Sequence, residues 1–122
     1  MTAFNMDGKP LLTNDEVSIV GLIVSVSGFA SGVSWVTVQP VLANTPFQAN
    51  VEDIRVPQNQ VLGGPTYGNL PAVGSDCTTM GYATAVSGNG LAANVTVTLK
   101  QSGVSVTVPA GSCHSDNSGG SY

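Results

Sequence analysis

The amino-acid sequence predicts an all-β protein, built either as two tandem small barrel-like units with a duplicated four-strand pattern or as a single β-sandwich of about eight strands. Three observations predict it. Val dominates the periodic runs, where it alternates with Ser, Thr and Gly, and a period of two belongs to strands. Fifteen glycines and seven prolines in 122 residues break those runs at short intervals. Long helical stretches rich in Glu, Lys, Arg and Leu are absent.

The elements follow in chain order. Residues 1–16 read as a polar N-terminal arm, closed by the turn-forming Asn14-Asp15-Glu16. The first β unit covers 17–55. Val17 to Ser27 alternates as a strand, Gly28 and Ser31-Gly32 mark a turn, and Ser34 to Val41 resumes the pattern until Pro40 ends it. A further turn falls near Ala43-Asn44-Thr45-Pro46, and Phe47 to Ile54 holds one more strand.

Residues 56–76 are rich in Pro and Gly and read as a linker or extended arm, whose apolar members include Val61, Leu62, Tyr67, Leu70 and Val73. The second β unit covers 77–113. Met80 to Val86 is a strand, Gly88-Asn89-Gly90 a turn, and Val95 to Leu99 a clean alternation. Gln101-Ser102-Gly103 then turns a hairpin back into Val104, Val106 and Val108. Residues 114–122 are polar and glycine-rich and read as a flexible tail.

The two units repeat one pattern. Gly21-Leu22-Ile23-Val24-Ser25-Val26-Ser27-Gly28 matches Gly81-Tyr82-Ala83-Thr84-Ala85-Val86-Ser87-Gly88 at an offset of 60 residues. Val36-Thr37-Val38 matches Val95-Thr96-Val97 at 59, Val17 falls opposite Cys77, and Ile54 falls opposite Cys113. A lone unit of roughly 40 residues buries too little surface to be comfortably stable. Packing two together, or oligomerising, removes that difficulty.

Composition narrows the function. Only 8% of residues are charged, against about 25% in ordinary domains. The three basic residues, Lys9, Arg55 and Lys100, are scattered within a chain of net charge −4. Nucleic acid and anionic membrane are therefore poor partners, whereas a sparsely charged surface suits packing against protein. No basic region precedes an apolar core at the N-terminus, and Val17 to Val26 is too short to span a bilayer. Synthesis in a cytoplasm is expected.

The residues offer little chemistry. Cys77 and Cys113 read either as buried free thiols or as a disulfide, which would close a loop worth up to about 3–4 kcal/mol. A metal site drawing on Cys77, Cys113, His114 and Asp76 or Asp116 fits no established zinc spacing, and neighbours on one strand face opposite ways. His114 reads as an exposed tail residue without a third group to orient it. Glu52-Asp53 read as solvated loop charge, and the glycines precede strands rather than phosphate-binding helices. Asn94-Val95-Thr96 is a sequon without secretory context. No catalytic residue, cofactor or metal is assigned. Trp35 and Phe47, with Leu62, Tyr67 and Leu70, are the candidate interface residues.

The repeated form G-x-x-x-x-V-S-G, then V-T-V, then a closing strand, resembles small β-barrel virion proteins of tailed bacteriophages. These include capsid decoration proteins and head–tail or tail components. The resemblance covers about two thirds of the chain. It implies a non-enzymatic structural protein that binds a capsid lattice, as an oligomer or part of a larger assembly, with the N-terminal arm and the 56–75 segment gaining order on binding. A filament subunit, and a small carbohydrate-binding module centred on Trp35, are the other classes compatible with the composition.

Overall fold

The computed structural model describes residues 3–27, 35–50, 53–56, 60–61, 74 and 76–115. Nine strands fill them: β1 (Glu16–Ser27), β2 (Trp35–Pro40), β3 (Phe47–Asn50), β4 (Ile54–Val56), β5 (Gln60–Val61), β6 (Asp76–Ser87), β7 (Asn94–Leu99), β8 (Ser105–Pro109) and β9 (Cys113–Ser115). All strand pairs are antiparallel, and all belong to one barrel-like sheet.

The sheet is organised about its two twelve-residue strands. The first halves of β1 and β6 pair from Glu16↔Tyr82 to Leu22↔Asp76, with Ile19↔Thr79 at the centre. Ile19 and Thr79 are also equivalent in the repeat, so a pseudo-two-fold axis passes between them. The second half of β1 pairs with β2, and β2 with β3. At the related place, the second half of β6 pairs with β7, and β7 with β8. Each long strand therefore serves both halves.

The short closing strands cross over. β4 pairs with β6 through Ile54↔Thr79, while β9 pairs with β1 through Ile19↔Cys113. The result is two five-strand curls, β4-β6-β1-β2-β3 and β9-β1-β6-β7-β8, that share β1 and β6. The duplicated four-strand pattern is present, but neither unit is self-contained: each takes its closing neighbour from the other.

The repeat equivalences hold to the level of single residues. Gly21 and Gly81 lie where the long strand turns from one partner to the next. A Cβ on Gly21 would sit 2.6 Å from Gln39 O, and one on Gly81 2.6 Å from Thr98 O. Both positions exclude a side chain. The register slips between Ile23 and Ser25 in β1 and between Ala83 and Ala85 in β6. These matched bulges, at Val24 and Thr84, increase local twist and bend the sheet. Ahead of the strands, Asn14 N–H donates to Ala83 O and Gly74 N–H to Ile23 O, both at 2.6 Å. Asn14 and Gly74 both have positive φ, 79° and 95°, a region that Asn and Gly tolerate best. The repeat thus begins three residues before Val17.

The inward faces fill one apolar core. Ile19, Ile23, Val36, Val38, Ile54, Val95, Val97 and Leu99 are essentially inaccessible, each contributing about 1.5–3 kcal/mol through burial. Phe47 is partly buried and packs against this core.

Two polar side chains at equivalent positions tie each half to the other. Asp53 is buried and accepts from Gln101 N–H (2.6 Å), Ser102 N–H (3.2 Å) and Ser102 Oγ–H (2.6 Å), capping the β7–β8 turn. Ser112 Oγ accepts from Leu42 N–H at 3.3 Å, capping the turn after β2. The expectation of a solvated Asp53 fails because the turn amides of the other half replace its water.

Residues 3–15, expected as an arm, are anchored on the sheet by the buried Ala3, Asn5 and Leu11, with the rest of the stretch mostly exposed. Ala3 and Leu11 join the core cluster. Ala3 forms a parallel bridge to Gly90, and Met6 N–H donates to Cys113 O at 3.0 Å. The predicted tail likewise starts later than residue 114, because His114 and Ser115 belong to β9.

Two substitutions test this arrangement. Thr79 Oγ1 is buried at the pseudo-axis with no hydrogen-bond partner among the described residues. Thr79→Val is expected to raise stability by about 1–2 kcal/mol in urea denaturation, by removing an unpaired buried hydroxyl. Asp53→Ala is expected to lower it by about 1.5–3 kcal/mol, because three donors lose a charged acceptor.

Candidate interaction groove

A concavity lies where the two halves meet. It is an open groove of about 580 Å³ lined by Leu42–Thr45, Leu91, Ala92, Asn94 and Thr107–Pro109. No lining residue is charged. That volume falls within the range of sites that hold small ligands or peptide side chains.

Backbone constraints build its walls. After β2, Val41 N–H donates to Val20 O and Ala43 N–H to Pro40 O, so the chain turns tightly and presents Leu42 outward. Gln39 Nε2 donates to Ala43 O and Leu42 N–H to Ser112 Oγ, fixing that turn. On the facing side, Ala110 N–H donates to Ala93 O and Gly111 N–H to Leu91 O, both at 2.8 Å. Gly111 lies between the two leucines: a Cβ there would be 2.4 Å from Leu42 Cδ1 and 3.1 Å from Leu91 Cβ. The missing side chain brings Leu42 and Leu91 together.

Both leucines remain about half exposed, at 57% and 49%. Phe4 is also exposed, and its N–H donates to Gly90 O beside Leu91.

The groove also follows an edge of the sheet. Thr107, Val108 and Pro109 are consecutive in β8, and successive strand side chains face opposite ways. A groove bordered by all three runs along the strand rather than over one face. β8 has β7 as its one strand partner among the described residues.

The residues singled out in the sequence lie elsewhere. Trp35 is half-buried at the start of β2, paired with Ser27 and Asn50. Phe47 supports the core, as described above. Leu62, Tyr67 and Leu70 lie outside the described residues. Leu42 and Leu91 carried no sequence signal, since each occupies a turn and neither belongs to an alternating run.

Cys77 and Cys113 are free and buried. Cys77 pairs with Gly21 and Cys113 with Ile19, on opposite edges of β1. Strands two apart lie about 10 Å from each other, whereas a disulfide needs Cα atoms within about 7 Å. Burial pushes the Cys113 thiol up to about 12. Burial, and then the charge of Asp76, push Cys77 up to about 12 as well.

His114 faces away from Cys113 and is half-buried rather than part of a free tail; its Nδ1 lies 3.0 Å from both Asp7 carboxylate oxygens. No group of three or more His, Cys, Asp or Glu gathers among the described residues with metal-binding geometry. The Lys100 ammonium pairs with Glu16 and stands 5.4 Å above the Tyr82 ring, joining β1, β6 and the β7–β8 turn. No family model, curated protein or solved structure matches the chain.

The thiols supply a test of the closed core. The folded state keeps both protonated where the unfolded chain ionises them, so unfolding releases protons between about pH 9 and 12. Stability is expected to be unaffected by these groups below pH 9 and to fall as pH rises through that window. Thermal denaturation against pH checks this, with a shallower alkaline decline expected for Cys113→Val. Iodoacetamide at pH 8 is expected to label neither cysteine in the folded protein and both in urea.

Proposed function

We propose that this chain is a non-enzymatic component of a protein assembly and docks through the Leu42–Leu91 groove. The observation that carries this reading is the half-exposed pair Leu42 and Leu91 lining a groove without a charged side chain. Leucines left half in water at a rigid junction are more costly than polar residues would be there, and a covering protein surface removes that cost. The low charge of the whole chain points the same way.

Within that class, we favour a capsid decoration protein of a tailed bacteriophage, made in the host cytoplasm and carried on the virion. The repeated strand pattern supports this choice through its resemblance to small virion β-barrels. Several copies per shell would bridge neighbouring capsomers, each weak contact strengthened by its neighbours. A filament subunit is the alternative within the same assembly class. The half-buried position of Trp35 gives less support to a carbohydrate platform, which needs an open ring face.

Immunogold electron microscopy of particles from cells expressing the full chain tests the proposal. Regular labelling of icosahedral shells is the expected result. The double variant Leu42→Asp, Leu91→Asp is expected to leave shells unlabelled while melting within a few degrees of the parent, since both sites are exposed. Labelling along filaments would transfer the protein to the alternative. Soluble protein associated with no particle would overturn the assembly reading.

A further inference from the structure

Resting on the groove as a docking site, we infer that its occupant is an uncharged extended segment of a partner protein, added as a new strand on the edge of β8 that no described strand covers. The inference follows from hydrogen-bond direction. Leu99 N–H donates to Val104 O at 2.8 Å, and Ala110 N–H to Ala93 O at 2.8 Å. Both pairs lie in the β7–β8 register, in which Asn94 is opposite Pro109 and Thr98 opposite Ser105. Hydrogen-bonded pairs alternate with non-hydrogen-bonded pairs along an antiparallel ladder. The intervening bonded pairs are therefore Val97–Val106 and Val95–Val108.

Ser105 and Thr107 then occupy the alternate positions, where backbone N–H and C=O point away from β7. Thr107 lies in the groove. It offers one donor and one acceptor in the spacing that a passing strand supplies. Pro109 has no N–H and ends the edge. This limits the addition to a few residues and discourages open-ended stacking of sheets.

The walls specify the added segment. Its backbone would pair with Thr107, and alternate side chains would turn toward Leu42 and Leu91 or out to solvent. The lining has no charged group to meet one on the segment, so a charged side chain facing the groove would be desolvated without compensation. The recognised sequence is thus short, extended and apolar at every second position.

Selection of a displayed random heptapeptide library on the full chain tests this. Peptides with alternating apolar residues are expected to be enriched. Thr107→Pro, which removes the outward N–H but no bond to β7, is expected to weaken their binding about tenfold or more, whereas Thr107→Val is expected to leave it within about twofold. In the parent protein, amide exchange at Thr107 is expected to slow when the peptide is added, a readout independent of whether the proline variant folds.

Binding that survives Thr107→Pro and leaves Thr107 exchange unchanged, but is lost in Leu42→Asp, would overturn strand addition and leave the groove as a side-chain docking site. Enrichment no greater than on Leu42→Asp would overturn the inference outright. Neither result alters the outcome of particle labelling, which tests the assembly reading separately.

Discussion

The structure depends on the antiparallel ladder between the first halves of β1 and β6. It holds the two repeats face to face about Ile19 and Thr79, and it sets where every other strand can go. β9 fits beside β1 because β1 has an edge left over after pairing with β6. β4 fits beside β6 for the same reason. Gly21 and Gly81 then release the long strands toward β2 and β7, where any side chain would strike the neighbouring backbone. One pairing is used twice, and a pair of units each too small to enclose a core instead encloses a common one.

Much of this was legible in the sequence. The Val alternations located most of the strands, and the offset between Gly21 and Gly81 identified equivalent positions correctly. Even the equivalence of Ile54 and Cys113 in the repeat was readable by counting. What local pattern does not carry is partnership. Alternation states that β9 has an inward face, but not that its neighbour is β1 rather than β6. The same limit hid Asp53, whose acidic character read as solvent-facing until the turn that it caps was brought beside it. It also hid the packing of residues 3–15, because isolated Ala3 and Leu11 form no period. The groove was the least legible part. Leu42 and Leu91 are neighbours through Gly111, a contact among three loops that no single stretch of sequence records.

The two repeats also differ. Lys100 in the second half occupies the place of Val41 in the first, and Tyr82 the place of Leu22. The second half closes that corner with an ion pair to Glu16 and a cation over an aromatic ring. The first half leaves Leu22 and Val41 exposed. Likewise Asp53 caps a turn through three bonds, while its equivalent Ser112 uses one. The ladder is common to both curls, while the surfaces outside it carry different residues.

The crossing of β4 and β9 also governs how the chain can be made. A ribosome releases β1, β2, β3 and β4 first, yet the first curl cannot close until β6 has emerged to separate β4 from β1. β1 then waits for Cys113–Ser115, the last strand among the described residues, before its remaining edge is covered. Such distant pairings delay folding because loop closure is costly before it is rewarded. The nascent first half therefore keeps strand edges open until the second half is made. For this fold, neither half can close before both have been made, so the two fold as one cooperative unit rather than in succession.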